Sequence, residues 1–401
     1  MPIVTYSSRW FIITTLSCLC FFSLAPITVQ ADGGAPNRAY IAGATKGIAI
    51  IDILQQKVIN HMAIPGDPHT ILLSLDGNYL YVTEPQLQRV AIIRASTGAT
   101  LCTAPVPGHP TLLAMDNANL LFAASNDASS ITALDPNNCQ ILHIFQLNQP
   151  VYGIGVASIG TSLSSGNQLW VTTSTELTAF DDINASQIKQ ISIPDGPRYI
   201  SIPPGTAAYL TTQLGSVVTV DLKTYNVRTL ISGGIYGPMD FDEGTSEVYV
   251  PDQKSHQLVV LQPAYGNSAL PHEPLRTIPL EARPISVAVT SDGQLAFVAL
   301  EDGKVAMLDI PAHHITNTFD VGGDLHFIIT GLNPPTLSPP LHQAQTSQQS
   351  WTLQIVLLLA LCGSLIIILV IVKMRSKNIQ LLNIKHYLHK SDGLQSIQYM
   401  R

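Results

Sequence analysis

The feature that most constrains this chain is an internal repeat of about 40 residues. Aligned on the aromatic residue that leads an apolar segment, the copies begin at Tyr40, Tyr81, Phe122, Trp170, Tyr209, Tyr249 and Phe297. The steps between them are 41, 41, 48, 39, 40 and 48 residues. Each copy contains four short, β-branched or alternating segments separated by turn residues, which is typical of β-strands. One such unit cannot bury a core alone, so the copies must pack against one another.

A second position recurs at the end of the third strand of each copy. Five copies have an acidic residue there (Asp52, Asp135, Asp181, Asp221 and Asp309), and Arg94 and Gln262 stand there in the other two. A period near 40 residues with four strands per unit predicts an all-β fold, a seven-bladed β-propeller over residues 32–332. Residues 326–331 form a first strand with no blade of its own, and no such strand precedes Tyr40. We therefore expect them to complete the first blade, which removes open sheet edges.

The two ends of the chain predict export and membrane attachment. Residues 1–31 read as a signal peptide, because Arg9 precedes an apolar stretch and Ala31 ends it; an uncleaved anchor is the alternative. Residues 351–372 include 20 consecutive residues without a charge, enough for a transmembrane helix. Residues 333–350 form a proline-rich stalk, and the basic tail, residues 373–401, is predicted to be cytoplasmic. The chain is thus predicted to be a single-pass protein of the cell membrane with its propeller outside.

The charge of the predicted outer portion argues against nucleic acid as a partner. Residues 32–350 contain 13 Lys and Arg against 26 Asp and Glu, a net charge of −13. Binding to nucleic acid depends on basic residues that neutralise phosphates. The expected partners are an extracellular protein or a small molecule, and the sequence specifies no cofactor.

Two cysteines, Cys102 and Cys139, lie in the predicted outer portion. Both fall on or beside the fourth strands of successive blades, where an oxidising compartment would permit a disulfide. They stand three residues out of register with each other, so the sequence leaves their pairing open.

Several short motifs carry a resemblance to a known family. They are Tyr81-Val82-Thr83-Glu84, the Asp-Gly turns at residues 74–77 and 291–293, and the strand-ending Asp residues. Together they resemble the YVTN-repeat family of seven-bladed propellers, found mostly in prokaryotic secreted and cell-surface proteins. The resemblance implies the fold and exposure outside a cell, but no single activity, because propellers are scaffolds that carry many different sites.

The loops that lead into the first strands, here called the leading loops, place polar residues at one mouth of the central channel of a propeller. The loops between the second and third strands lie on the same face, and add Glu84, Gln213 and His256. The predicted ligand-binding residues are Asp67, His69, Glu84, His109, Arg198, Asp240, Arg283, Asp324 and His326. No complete catalytic set accompanies them. The sequence therefore favours a binding module over an enzyme.

Two alternatives use the same residues. A metal or cofactor site could use His69, His109 and His326, although no fixed ligand spacing connects them and no metal ligands are assigned. Residues 67–82 and 196–214 resemble parts of the 6-phosphogluconolactonase family, which implies a lactone hydrolase with His69 and Arg198 in its site. Where that family has His and Glu, this chain has Tyr199 and Gln213, which cannot replace them in acid–base catalysis near neutral pH.

Overall fold

The computed structural model describes residues 37–158, 166–203, 205, 207–264, 272–331 and 373. In these residues the chain forms 28 β-strands in seven four-stranded antiparallel sheets, with one short 3₁₀-helix, Pro85–Leu87. The predicted all-β, seven-bladed propeller is confirmed. The predicted signal peptide, stalk and transmembrane span lie outside the described residues, as does all of the tail except Lys373. No helix of the described part is long and apolar enough to cross a membrane.

Each blade takes its strands in sequence order, except the first. Blade 1 contains β28 (Phe327–Gly331), β1 (Arg38–Ala44), β2 (Gly47–Asp52) and β3 (Lys57–Met62). Blades 2 and 3 contain β4 (Ile71–Leu73), β5 (Tyr79–Glu84), β6 (Arg89–Arg94), β7 (Thr100–Pro105), β8 (Leu112–Met115), β9 (Leu121–Ala124), β10 (Ser130–Asp135) and β11 (Gln140–Gln146). Blades 4 and 5 contain β12 (Gly153–Ser158), β13 (Asn167–Thr172), β14 (Glu176–Asp181), β15 (Gln187–Ser192), β16 (Pro197–Ser201), β17 (Ala207–Thr212), β18 (Ser216–Asp221) and β19 (Val227–Ser232). Blades 6 and 7 contain β20 (Asp240–Phe241), β21 (Val248–Asp252), β22 (Gln257–Leu261), β23 (Arg276–Pro279), β24 (Pro284–Val289), β25 (Leu295–Leu300), β26 (Lys304–Asp309) and β27 (His314–Asp320).

The ring closes where the two ends of the propeller meet in blade 1. Strand β28 pairs with β1, with Tyr40 opposite Ile329, and the Asn37 N–H donates to the Gly331 carbonyl at 3.1 Å. Both ends therefore lie at one face, the distal face, which also carries the turns between first and second strands. The leading loops lie on the opposite face, the mouth face. All seven sheets and their closure fall within residues 37–331, in a compact unit that ends at Pro334.

The repeated aromatic residues are the anchors of the core. All seven lie on second strands and are at most 2% exposed. Phe122, for example, packs edge-on against Phe145 at a centroid distance of 5.9 Å, and Phe145 packs in the same way against Phe180 of blade 4. Burying an aromatic side chain of this size stabilises a fold by about 2–3 kcal/mol. The repeat is therefore explained by packing within and between blades.

The repeated Asp residues hold the turns that join third and fourth strands. Asp221 accepts hydrogen bonds from the backbone N–H groups of Lys223 and Thr224, at 2.9 and 2.7 Å. Tyr225 then takes a left-handed conformation, with φ of 63°, and leads into the outer strand. Asp carboxylates commonly hold turns in this way. These Asp residues lie on the distal face and are structural.

The two cysteines form a disulfide between blades 2 and 3, with their Cα atoms 6.0 Å apart. Cys102 lies within the outer strand β7, whereas Cys139 lies in the turn before β11, with φ of 60°. The bond joins a strand to a neighbouring turn, so the three-residue offset between the two positions does not keep the sulfur atoms apart.

Candidate functional site

The central channel holds two adjoining cavities. A cavity of about 190 Å³ opens at the mouth face, and a second of about 530 Å³ lies toward the distal face. They share Pro238, Met239 and Phe327, which line both. The two cavities therefore adjoin at these three apolar side chains.

Two histidines and an aspartate meet at the mouth. The rings of His69 and His326 stack in parallel, with centroids 4.7 Å apart and planes 13° from each other. His326 Nε2 lies 3.4 Å from Asp67 Oδ1. Both histidines stand in leading loops, one just before β4 and the other just before β28. The closure of the ring makes these two loops neighbours, although 257 residues separate the histidines in sequence.

The position of His69 keeps it neutral. Burial, with a smaller contribution from the charge of His326, lowers the pKa of His69 to about 4, while Asp67 opposes the shift. A neutral imidazole both donates and accepts a hydrogen bond. The Nδ1 of His69 lies 3.2 Å from the Thr70 hydroxyl, so at neutral pH the Nε2 remains for a ligand, without a positive charge on the ring.

Acidification should destabilise the propeller through His69. The unfolded chain takes up this proton near pH 6.5, whereas the folded protein does so only near pH 4. As the pH falls between these values the unfolded state binds more protons, so the free energy of unfolding falls by up to about 3 kcal/mol. Chemical denaturation of wild type and His69→Phe across this range measures the effect. The free energy of unfolding of His69→Phe should fall less than that of wild type as the pH drops. If it fell equally in both proteins, His69 would not be the group responsible.

Other polar groups surround the two histidines. Tyr199 and Gln253 line the mouth cavity, and the Gln253 Oε1 accepts a hydrogen bond from Arg283 at 2.7 Å. Arg283 also lies 3.7 Å from Glu301. Its charge is thus balanced beside the cavity, and among the described lining residues of the mouth cavity there is no Lys or Arg.

The structure places Arg198 and His109 outside this cavity. The guanidinium of Arg198 lies over the ring of Tyr152, 4.3 Å from its centroid. His109 Nδ1 pairs with Asp127 at 2.5 Å, on an exposed loop, and this contact holds the pKa of Asp127 well below its usual range. Asp127 was not predicted, although its place 18 residues after His109 matches the loop between second and third strands.

Two further predicted residues, Glu84 and Asp240, do not line the mouth cavity. Glu84 is fully buried and pairs with Arg89, which stands opposite it in the β5–β6 hairpin; burial raises its pKa. Asp240 lies on the wall of the distal cavity, where its Oδ2 accepts a hydrogen bond from the Val289 N–H at 2.8 Å. Burial and strand register, which a loop alignment does not show, decide where these two side chains lie.

The remaining predicted residues are exposed on or near the mouth face. Asp324 lies in the leading loop of β28, and Gln213 follows β17 with its N–H donating to the Gly196 carbonyl at 2.7 Å. His256 takes a left-handed conformation, with φ of 50°, in the turn before β22. None of the three lines the mouth cavity.

The geometry of the mouth can be compared with the two alternatives, a metal site and a lactone hydrolase. The lone pair of an imidazole lies in the plane of its ring, and the nearly parallel planes of the stacked His69 and His326 rings do not meet beside them, so the two histidines, as they stand, do not converge on one metal ion. No group of three or more His, Cys, Asp or Glu in the described residues could hold a metal. The hydrolase alternative needs His69 and Arg198 together, and the guanidinium of Arg198 is directed to Tyr152 instead. The cavity supports hydrogen bonding to a ligand better than it supports acid–base chemistry.

A buried carboxyl pair lies between blades 3 and 4, where the sequence predicted nothing. Asp116 and Asp182 are 4% and 3% exposed, and Asn167 donates to Asp116 at 3.2 Å. Burial, together with the neighbouring Asp116, raises the pKa of Asp182 to about 6. Two adjacent carboxyl groups share a proton in this way when both cannot be ionised.

Replacing Asp182 by Asn should stabilise the protein at neutral pH. In wild type, Asp182 keeps its proton up to about pH 6 in the folded state but only up to about pH 3.8 in the unfolded state. The free energy of unfolding therefore falls by about 2–3 kcal/mol as the pH rises between these two values. The side-chain amide of the Asp182→Asn variant can donate to Asp116 without this loss. Denaturant unfolding at about pH 7.5 and about pH 4 measures it, with a gain expected only at the higher pH.

Asp181→Ala is the matched control for this change. Asp181 accepts hydrogen bonds from the Ile183 and Asn184 N–H groups, at 3.1 and 2.9 Å, so its loss should destabilise by about 1 kcal/mol. A destabilised Asp182→Asn protein at neutral pH would show that the pair is held as two charges.

Comparisons with known proteins identify the fold. The chain matches no protein-family model and no curated protein. It is similar in structure to a putative 6-phosphogluconolactonase from Bacteroides uniformis, with a TM-score of 0.60, 14% identity, and coverage of 74% of this chain and 99% of that one. It is also similar to the Cps50 (Swd1) β-propeller domain of Myceliophteria thermophila, with a TM-score of 0.57, 13% identity, and coverage of 69% and 93%. A third similar structure is the dihydro-heme d1 dehydrogenase NirN in complex with DHE, with a TM-score of 0.54, 10% identity, and coverage of 73% and 74%.

The fold is a seven-bladed β-propeller. At these identities the likeness concerns the fold alone, and proteins with different printed activities share it. Function must therefore be argued from the mouth and the channel.

Proposed function

We propose that this protein is a membrane-displayed binding module that holds a small, uncharged, hydroxyl-rich ligand at the mouth of its channel. The observation that carries the proposal is the stacked pair His69 and His326 beside Asp67, above an apolar cavity. A few convergent polar groups over an apolar floor are typical of ligand sites. The mouth cavity, about 190 Å³, suits one ring of a sugar-like molecule.

The charges at the mouth disfavour an anionic ligand. His69 is neutral near pH 7, and Arg283 is already engaged by Gln253 and Glu301. A phosphate group would find no unpaired cation among the described residues that line the cavity. A neutral ligand with several hydroxyl groups matches the neutral imidazole, the Tyr199 hydroxyl and the Gln253 amide.

The position of the chain ends supports display of the mouth. Because Asn37 and Gly331 are adjacent on the distal face, a tether attached to either end leaves the mouth face free. The predicted signal peptide and the predicted span at residues 351–372 would supply export and such a tether.

Thermal unfolding of residues 32–334 tests the proposal against free sugars, sugar lactones, sugar phosphates, metal ions and a chelator. A ligand that binds only the folded state raises the unfolding temperature. We expect neutral sugars or lactones to stabilise the protein more than their phosphates, and His326→Leu to abolish the shift. His314→Leu, on the outer strand β27, is the control and should bind as wild type does. Preference for phosphates, or a shift that His326→Leu leaves unchanged, would contradict the proposal.

A further inference from the structure

The second cavity of the channel, here called the distal chamber, has a different chemistry from the mouth. Its volume of about 530 Å³ is within the range of small-molecule sites, about 300–1,000 Å³. Its walls are largely apolar and include Met239, Phe241 and Phe327. The turns between first and second strands surround its opening on the distal face.

The charges that line the distal chamber are all negative. Asp240 and Glu243 are the titratable residues of its described lining, which contains no Lys, Arg or His. Ser74, Ser291 and Thr330 also line it, and the hydroxyls of Ser74 and Thr330 already donate to Asp76 at 2.6 Å and to the Val289 carbonyl at 3.0 Å. The two carboxylates are the charged groups of this lining, and they are the strongest acceptors it offers a ligand.

Asp240 is held at the chamber wall where two blades meet. It lies on β20 of blade 6, and its Oδ2 accepts the N–H of Val289 on β24 of blade 7. Burial raises the pKa of Asp240 to about 6, and the nearby charge of Glu243 acts in the same direction. Asp240 is half-buried, and no Lys, Arg or His stands in the described lining of the chamber, so an incoming cation would stabilise its carboxylate.

We propose that the distal chamber binds an organic monocation, an ammonium group on an apolar body, with the charged group at Asp240. The ammonium complements the carboxylate and the apolar body complements the walls. A bare metal ion fits less well, because hard cations take six or more oxygen ligands and the described residues contain no group of three potential metal ligands. This site lies at the opposite end of the channel from the proposed mouth site and does not depend on it.

Calorimetric titration of residues 32–334 with three amines tests the proposal: hexylammonium, cyclohexylammonium and phenethylammonium. At about pH 7.5, at least one should bind about tenfold or more tightly than its neutral alcohol analogue, since a desolvated charge pair contributes at least this much. Asp240→Asn, which keeps the shape and the acceptor for Val289, should lower the affinity to that of the alcohol. Lowering the pH to about 5 should weaken amine binding in wild type, because Asp240 becomes protonated.

Two controls locate the site. Glu243→Gln changes an exposed acid at the chamber and should retain most of the affinity, and Asp324→Asn at the mouth should retain all of it. In the NMR titration of the Asp240 carboxyl carbon, saturating amine should lower the pKa of Asp240 by about one unit or more. The proposal would be overturned if Asp240→Asn bound the amines as tightly as wild type does, or if wild type bound the alcohols as tightly as the amines. It would also be overturned if no amine bound at about 10 mM.

Discussion

Replacing Cys102 and Cys139 together by Ser should lower the free energy of unfolding by about 4 kcal/mol. The bond closes a loop with a sequence separation of 37 residues, and a cross-link of this span restricts the unfolded chain by that amount on the loop-entropy estimate. It also ties blade 2 to blade 3 at the outer rim, away from the channel. Denaturant unfolding of the oxidised protein measures the change.

Reduction provides the control for this prediction. A reducing agent should lower the stability of wild type to that of the double variant and leave the variant unchanged. Two free thiols in the denatured, unreduced protein, or a loss below about 1 kcal/mol, would contradict the pairing.

Ending the chain after Gly323 should abolish the cooperative unfolding of the propeller. This truncation removes β28, with Leu325 and Ile328, each 1% exposed, and leaves β1 as an open edge. Burial of the two side chains contributes about 4 kcal/mol, and the lost ladder of hydrogen bonds adds to it, against a usual total of about 5–15 kcal/mol. Circular dichroism during thermal unfolding measures the loss of the transition.

A chain ended after Pro334 is the matched control, because it retains β28 and should unfold as one cooperative unit. If the chain ended after Gly323 unfolded at the same temperature and with the same cooperativity, the closure of blade 1 by β28 would not be needed for stability.

The number of blades and the closure of the ring could be predicted from the sequence because both follow from the repeat. The anchors recur once per blade, and the unmatched first strand at residues 326–331 had only one blade to complete. The close packing at the closure also explains one glycine of the sequence. A Cβ at Gly43, whose φ is 84°, would stand 2.0 Å from the Asp324 carbonyl oxygen, so this position in β1 requires glycine.

The candidate site could be predicted only in part. The leading loops bring His69 and His326 to the mouth, as the topology implies, but the stacking of their rings depends on how adjacent blades are inclined. Glu84 is buried because its partner Arg89 lies directly across a hairpin, a cross-strand register that the loop alignment does not show. Asp240 comes directly after Pro238 and Met239, which line both cavities, and itself lines only the distal one.

The buried pair Asp116 and Asp182 was invisible in the sequence for a related reason. Asp181 and Asp182 are adjacent in the sequence and chemically identical. Their sequence does not show that Asp181 holds a turn while Asp182 is buried against blade 3. Contacts between blades depend on the twist of each sheet, which periodicity does not report.

Photocrosslinking from the two faces of the propeller tests most directly whether the mouth face is the binding face. A photoreactive phenylalanine derivative would replace Leu214, 75% exposed on the mouth face, or Leu54, 84% exposed on the distal face, in cells that produce the full chain. Mass spectrometry of the irradiated protein then identifies any adduct, whether a small ligand or a protein. The account predicts adducts from position 214 that His326→Leu removes, and none from position 54. Adducts from position 54 alone would show that the distal face, and not the mouth, meets the partner.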